Sequence, residues 1–211
     1  MTDIDYYSKL NLIQKSSETN LTIIYRYRQF YLNLENREAS LVILDVGCNT
    51  GRGGKVLKIL NNNFIIYGID CLEERLEQAK RIYDVVLKCD TTALPLKDRT
   101  VDCTLAGEFI EHLLYEDAVT TLNEFYRILR PGGQIFLTTP NPGYLKLKVT
   151  GASILGGAHL SQYYPQELKE IMRNIGFSQI VIKGSGRVAK YLGDFWPFML
   201  IYGSYLLTAK K

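Results

Sequence analysis

Glu108, Glu111 and His112 stand together in the run Gly107-Glu108-Phe109-Ile110-Glu111-His112-Leu113. If that run opens as a helical turn, the three side chains occupy i, i+3 and i+4 and share one face. His159, the other of the chain's two histidines, follows a glycine-rich stretch at 151–157. Two carboxylates and two imidazoles that converge suit a Mg, Mn or Zn ion, which lowers the pKa of a bound hydroxyl toward neutrality. Without a metal, His112 or His159 serves as a general base. Purely structural roles are the third reading.

A second group of residues points to a ligand site. Asp45-Val46-Gly47-Cys48-Asn49-Thr50-Gly51-Arg52-Gly53-Gly54 is an acid followed by a glycine-rich turn into a helix. Glycines let the backbone turn tightly and approach a ligand, and the helix that follows offers free N–H groups. A dinucleotide turn wants G-x-G-x-x-G, whereas here Asn49 stands where the second glycine belongs. This spacing disfavours a nicotinamide dehydrogenase, and Asp45 suits a cationic ligand better than a pyrophosphate. Gly68-Ile69-Asp70 ends the next apolar run, where an acid accepts both hydroxyls of a ribose. Cys71 follows it, and Lys88-Cys89-Asp90-Thr91 ends the third run. Three acids at three successive strand ends around one glycine turn read as one site.

The elements that must carry these residues alternate. β-Branched runs at Leu41–Val46, Phe64–Ile69, Val85–Lys88, Val101–Ala106, Gln134–Thr139, Ser178–Lys183 and Ile201–Thr208 predict seven strands. Apolar residues at helical spacing predict helices over Leu21–Leu34, Gly53–Leu60, Glu73–Tyr83, Ala118–Leu129 and Pro165–Ile175. Alternation implies right-handed βαβ units and a mostly parallel sheet covered on both faces. The last two strands lack a crossover helix between them and predict an antiparallel closing pair. Ligands of such open sheets bind at the carboxyl ends of the strands, where the residues above fall.

Composition narrows the function classes. The chain has 211 residues, 46% hydrophobic and 22% charged, with a net charge of +3. That length and balance fit one domain, which buries roughly 70% of its unfolded surface and needs no disulfide staples. The cysteines Cys48, Cys71, Cys89 and Cys103 form no C-x-x-C pair, and with no leader pattern in Met1–Tyr7 they fit a cytoplasmic location. Phe195–Leu207, the most apolar segment, is shorter than a bilayer span and is interrupted by Pro197, Gly203 and Ser204, so no transmembrane segment is expected. The mild charge argues against a nucleic-acid partner.

The motifs LDVGCNTG, YGID, CDTTALPL, VDCTLAGEFIEHL and RILRPGGQIFLTTPNP resemble those of the class I S-adenosylmethionine-dependent methyltransferases, from about Leu41 to Pro142. The resemblance implies an α/β, Rossmann-like, seven-stranded sheet with a reversed last strand and S-adenosylmethionine as cofactor. It implies that Asp45, Gly47, Asn49 and Gly51 line the methionine end, Asp70 with Cys71 binds the ribose, Asp90 with Thr91 faces the adenine, and Glu108 lies near the cofactor. Asn49 departs from the usual glycine, but Asn tolerates positive φ. The E-x-x-E-H element is similar to that of ubiquinone-pathway O-methyltransferases and small-RNA 2′-O-methyltransferases, in which it ligates a divalent metal. That similarity maps Glu108, Glu111, His112 and His159 as metal ligands, and the metal-free reading keeps Glu111, His112 and His159 as the catalytic set.

The expected layout is a single domain, with a helical cap at 1–40, a cofactor core at 41–140 and substrate-side loops and closing strands at 141–211. The aromatic and apolar covers at Tyr144, Leu145, Leu147, Leu155, Tyr163, Tyr164, Tyr191, Phe195, Trp196 and Phe198 favour O-methylation of a small lipophilic or aromatic acceptor. Metal-assisted RNA 2′-O-methylation and a catalytically silent cofactor-binding subunit are the alternatives, and the oligomeric state stays open.

Overall fold

A computed structural model of the chain describes residues 20–193 and 198–211. The expectations placed on Met1–Tyr7, Phe195, Trp196 and Pro197 lie outside these residues. Seven strands form one sheet: β1 Val42–Val46, β2 Ile65–Asp70, β3 Val85–Lys88, β4 Val101–Gly107, β5 Leu129–Pro140, β6 Ser178–Ser185 and β7 Ser204–Lys210. Their order is β3-β2-β1-β4-β5-β7-β6. Pairs among the first five strands are parallel, while β7 runs antiparallel to both β5 and β6.

Alternate strand residues feed two cores, because successive side chains point to opposite faces. On one face Leu44, Ala106, Leu137 and Leu207 pack with Leu122 and Phe125 of α4 (Tyr115–Ile128) and Leu168 and Met172 of α6 (Pro165–Ile175). On the other, Ile43, Leu105, Phe136 and Leu206 pack with Tyr27 and Phe30 of α1 (Asn20–Asn33) and Leu57 of α2 (Arg52–Leu60). The remaining helices are α3 (Glu73–Ala79), α5 (Leu145–Thr150) and α7 (Arg187–Leu192). Each fully buried aliphatic or Phe side chain here contributes roughly 1.5–3 kcal/mol, so α1 is as much part of the fold as the helices between strands.

Several element boundaries differ from the sequence expectation, three of them for a clear local reason. The α3 helix stops at Ala79, and the chain turns through 80–82 so that Tyr83 enters the core. Strand β5 begins at Leu129, with a register shift against β4 where Pro131, Gly132 and Gly133 intervene. Strand β7 begins at Ser204, because Met199–Ile201 form a 3-10 turn. Pro165 opens α6, and Gly176 at φ 116° ends it.

The strand order reverses between β1 and β4, where the crossover from β1 leads one way and the chain from β4 leads the other. Register pairs Val46 with both Ile69 and Ala106. Gly47, Asp70 and Gly107 therefore emerge side by side, at the switch point where open α/β sheets bind ligands.

Candidate functional site

The turn after β1 takes three left-handed residues, Gly47 at φ 63°, Asn49 at φ 51° and Gly51 at φ 86°. Asn49 holds the conformation expected of it, and its Oδ1 accepts the Thr50 N–H at 2.8 Å. A Cβ on Gly47 would meet the Phe109 ring at 3.0 Å, so glycine there lets the two walls of the site close on each other.

Asp45 sits below this turn rather than in the open site. It is fully buried, with Oδ1 accepting the Tyr27 hydroxyl at 2.6 Å and Oδ2 accepting the Tyr83 hydroxyl. Burial pushes its carboxyl up to about 6, against the two phenol hydrogen bonds and Arg26, which favour the charged form. Its side chain does not line the cavity described next.

A cavity of about 420 Å³ opens at the carboxyl ends of β1 to β4. Gly47, Asp70, Cys71, Asp90 and Thr91 line it, whereas Asp45, Asn49, Gly51 and Glu108 do not. Asp70 is braced by the N–H groups of Asn49 and Leu72, both at 3.0 Å, which aim its carboxylate while leaving lone pairs for hydroxyl donors. Asp90 caps its own turn through Thr92. The Thr91 hydroxyl pairs with Thr121 at 2.9 Å. Ile69, Cys89, Thr92, Phe109, His112, Leu113, Leu114, Asp117 and Leu160 complete the wall, so His112 borders this cavity as well as the histidine pair. Leu114, Asp117 and Leu160 lie outside every sequence motif.

The expected shared helical face of Glu108, Glu111 and His112 does not form. Glu108 has φ 51°, which takes it out of helical register, and the turn that follows is a short 3-10 piece, Ile110–His112. Glu108 faces Arg26, with Nη2 to Oε1 at 3.8 Å, and accepts from Ser204 at 3.4 Å. Arg26 is a second residue that motif reading missed. It is buried, it packs so closely on Gly107 that a Cβ there would lie 2.6 Å from its Cδ, and it faces the acids at the ends of two adjacent strands.

Glu111, His112 and His159 do converge, with potential ligand atoms all within 4.8 Å of one another. Glu111 is fully buried and accepts from Thr139 at 3.0 Å, and among the described residues its Oε1 has no hydrogen-bond partner. Burial and the Glu108 charge raise its pKa well above the carboxylate range. His112 Nδ1 lies 2.8 Å from the Ala158 carbonyl, and His159 Nδ1 lies 3.1 Å from that of Ile154. A carbonyl only accepts, so both protons sit on Nδ1 and the basic lone pair sits on Nε2. This donor set fits a divalent ion through three of the four expected residues. Glu108 is not among them.

Residues 44–137 match the family described as a methyltransferase domain. A probable S-adenosylmethionine-dependent methyltransferase of Mycolicibacterium smegmatis is 29% identical over 154 residues, covering 72% of this chain and 58% of that protein. The malonyl-[acyl-carrier protein] O-methyltransferase of Yersinia pestis is 28% identical over 137 residues, covering 64% and 50%. The chain thus spans about half the length of these curated relatives. In fold it is similar to a SAM-dependent methyltransferase from Archaeoglobus fulgidus, with a TM-score of 0.72 at 20% identity, covering 92% of this chain and 95% of that one. The matched span runs from β1 to β5 and is a methyltransferase domain, and the fold of the chain is that of the class I S-adenosylmethionine-dependent methyltransferases.

Proposed function

We propose that the chain transfers the methyl group of S-adenosylmethionine to an oxygen of a small lipophilic or aromatic acceptor. The observation that carries this reading is the pair of imidazoles whose Nδ1 protons are tied to Ala158 and Ile154, which fixes Nε2 of each ring as the base. Asp70 takes the ribose, Asp90 with Thr91 borders the adenine, and Arg26 offers its charge to the methionine carboxylate.

The acceptor oxygen attacks the sulfonium methyl in line. A carbon–oxygen bond forms, the carbon–sulfur bond breaks, and its electron pair returns to sulfur to leave S-adenosylhomocysteine. The acceptor's proton passes to Nε2 of His112 or His159. The cofactor already carries a good leaving group, so alignment and proton removal are what remains for the protein to supply.

Where a divalent metal is bound, Glu111, His112 and His159 would hold it, and it would lower the pKa of an acceptor hydroxyl. Glu108, engaged with Arg26 and Ser204, stays outside that set. The aromatic and apolar side chains of the segment between β5 and α6 that carries His159, Tyr144, Leu155, Tyr163 and Tyr164, support a lipophilic acceptor.

Incubation of the protein with methyl-labelled cofactor and a cell extract, followed by fractionation, tests this reading. Label in the organic-extractable or small-molecule fraction is expected. Label in RNA would replace the acceptor class, and no label despite cofactor binding would favour a silent subunit.

A further inference from the structure

The cofactor turn is bridged beneath by three side chains from three parts of the sequence. The Gly54 N–H donates to the Tyr83 hydroxyl at 3.0 Å, Tyr83 donates to Asp45 Oδ2, and Tyr27 donates to Asp45 Oδ1 at 2.6 Å. Asp45 ends β1 and Gly54 lies in the first turn of α2, so the bridge joins the two ends of the turn that holds Gly47, Asn49 and Gly51 in left-handed conformations. Such conformations persist where surrounding structure over-determines them. The bridge also accounts for the doubled glycine after Arg52. A Cβ on Gly53 would lie 2.0 Å from Tyr27 Cζ, and one on Gly54 would lie 2.5 Å from Tyr83 Cζ, so each ring fills the space of a missing side chain.

We propose that Tyr27 and Tyr83 are positioning residues for the cofactor, locking the turn at 45–51 through Asp45, so that docking of the N-terminal helix completes the cofactor site. Neither tyrosine lines the cavity, and each acts through Asp45. The inference rests on S-adenosylmethionine being the ligand of this turn.

Protonation of Asp45 replaces one of its two acceptor oxygens with a hydroxyl, which deprives one tyrosine of its partner. The groups that set this protonation are the Tyr27 and Tyr83 phenols, Arg26, Asp70 and the Cys48 thiol. Loss of either phenol removes a donor to the charged form, so Asp45 then protonates at higher pH.

The test is equilibrium binding of S-adenosylhomocysteine to the full chain at pH 7.5 and pH 5.5, with kcat measured at saturating cofactor. Tyr27→Phe and Tyr83→Phe are each expected to raise Kd about tenfold at pH 7.5, to keep kcat within about twofold, and to show the acid weakening of affinity at higher pH than wild type. Tyr31→Phe, on the same helix but bonded to Glu38 at the surface, is expected to bind as wild type does. Unchanged affinity in both tyrosine variants would overturn the proposal, as would a loss that is equal at every pH and matched by a fall in kcat. If wild type itself fails to bind S-adenosylhomocysteine, the cofactor reading falls instead. The acid weakening in wild type needs no variant, so a variant that fails to fold does not shield the proposal.

Discussion

The rings of His112 and His159 meet edge to face, with centroids 5.0 Å apart, although they arrive on loops that follow different strands, β4 and β5. Each ring is steered by a backbone carbonyl of the second loop, Ala158 for His112 and Ile154 for His159. The same loop therefore fixes both tautomers, and the basic nitrogens are set before an acceptor arrives.

Removing one of these bases should cost rate and not cofactor affinity. His159→Ala is expected to lower kcat by about 100-fold or more, the low end of general-base contributions. The Kd of S-adenosylhomocysteine should stay within about threefold of wild type, since His159 does not line the cofactor cavity. An unchanged kcat would take His159 out of the chemistry.

The three-residue cluster makes a discriminating statement about metal. If the cluster holds a metal, titration with Zn or Mn loads one ion per chain in wild type and in Glu108→Gln, and fails in His159→Ala. Glu108 is held instead by Arg26 and Ser204. Loss of loading in Glu108→Gln would return that residue to the ligand set, and no loading in wild type would leave the metal-free base.

Two glycine-to-alanine variants separate packing from backbone strain. Gly53→Ala drives a methyl into the Tyr27 ring at 2.0 Å and is expected to destabilise the fold by about 1–3 kcal/mol through overpacking. Gly132→Ala has nothing within 4 Å of the added carbon but sits at φ 77°, so only the left-handed penalty of about 1–2 kcal/mol applies. Calorimetric melting of the two, with cofactor affinity lowered only in Gly53→Ala, checks the distinction.

Asp45 ties stability to pH. Its carboxyl is raised from 3.8 in the unfolded chain to about 6 in the fold, so its stabilising contribution is fully present below pH 4 and is lost as pH rises through 6. The shift corresponds to about 3 kcal/mol as an upper bound. The melting temperature of wild type relative to Asp45→Asn should therefore fall between pH 4 and 6 and level off above 7. A difference that stays flat across that window would contradict the raised carboxyl.

Much of this architecture was legible because it is periodic. The apolar runs that became β1, β2, β4 and β5 are largely buried on both faces, and α2, α4 and α6 show one apolar stripe each, so local pattern and tertiary position agree. The turn chemistry was legible too, since Asn49 is one of the few non-glycine residues at ease in the left-handed region. What escaped depended on contacts distant in sequence or on a single backbone angle. Tyr27 and Tyr83 reach Asp45 from 18 and 38 residues away, and no spacing rule links them. The positive φ at Glu108 breaks the i, i+3, i+4 face, which residue type alone does not foretell. Arg26 belongs to no motif, and only the fold lays it on Gly107.

The account stands on one ligand in one place, S-adenosylmethionine at the carboxyl ends of β1 to β4 with its ribose on Asp70. Calorimetric titration of S-adenosylhomocysteine into wild type and Asp70→Ala tests this most directly. One site with a micromolar Kd is expected in wild type, with a loss of about tenfold or more in Asp70→Ala, where charge-assisted hydroxyl hydrogen bonds are removed. Absence of binding in wild type, or equal affinity in the two proteins, would contradict it.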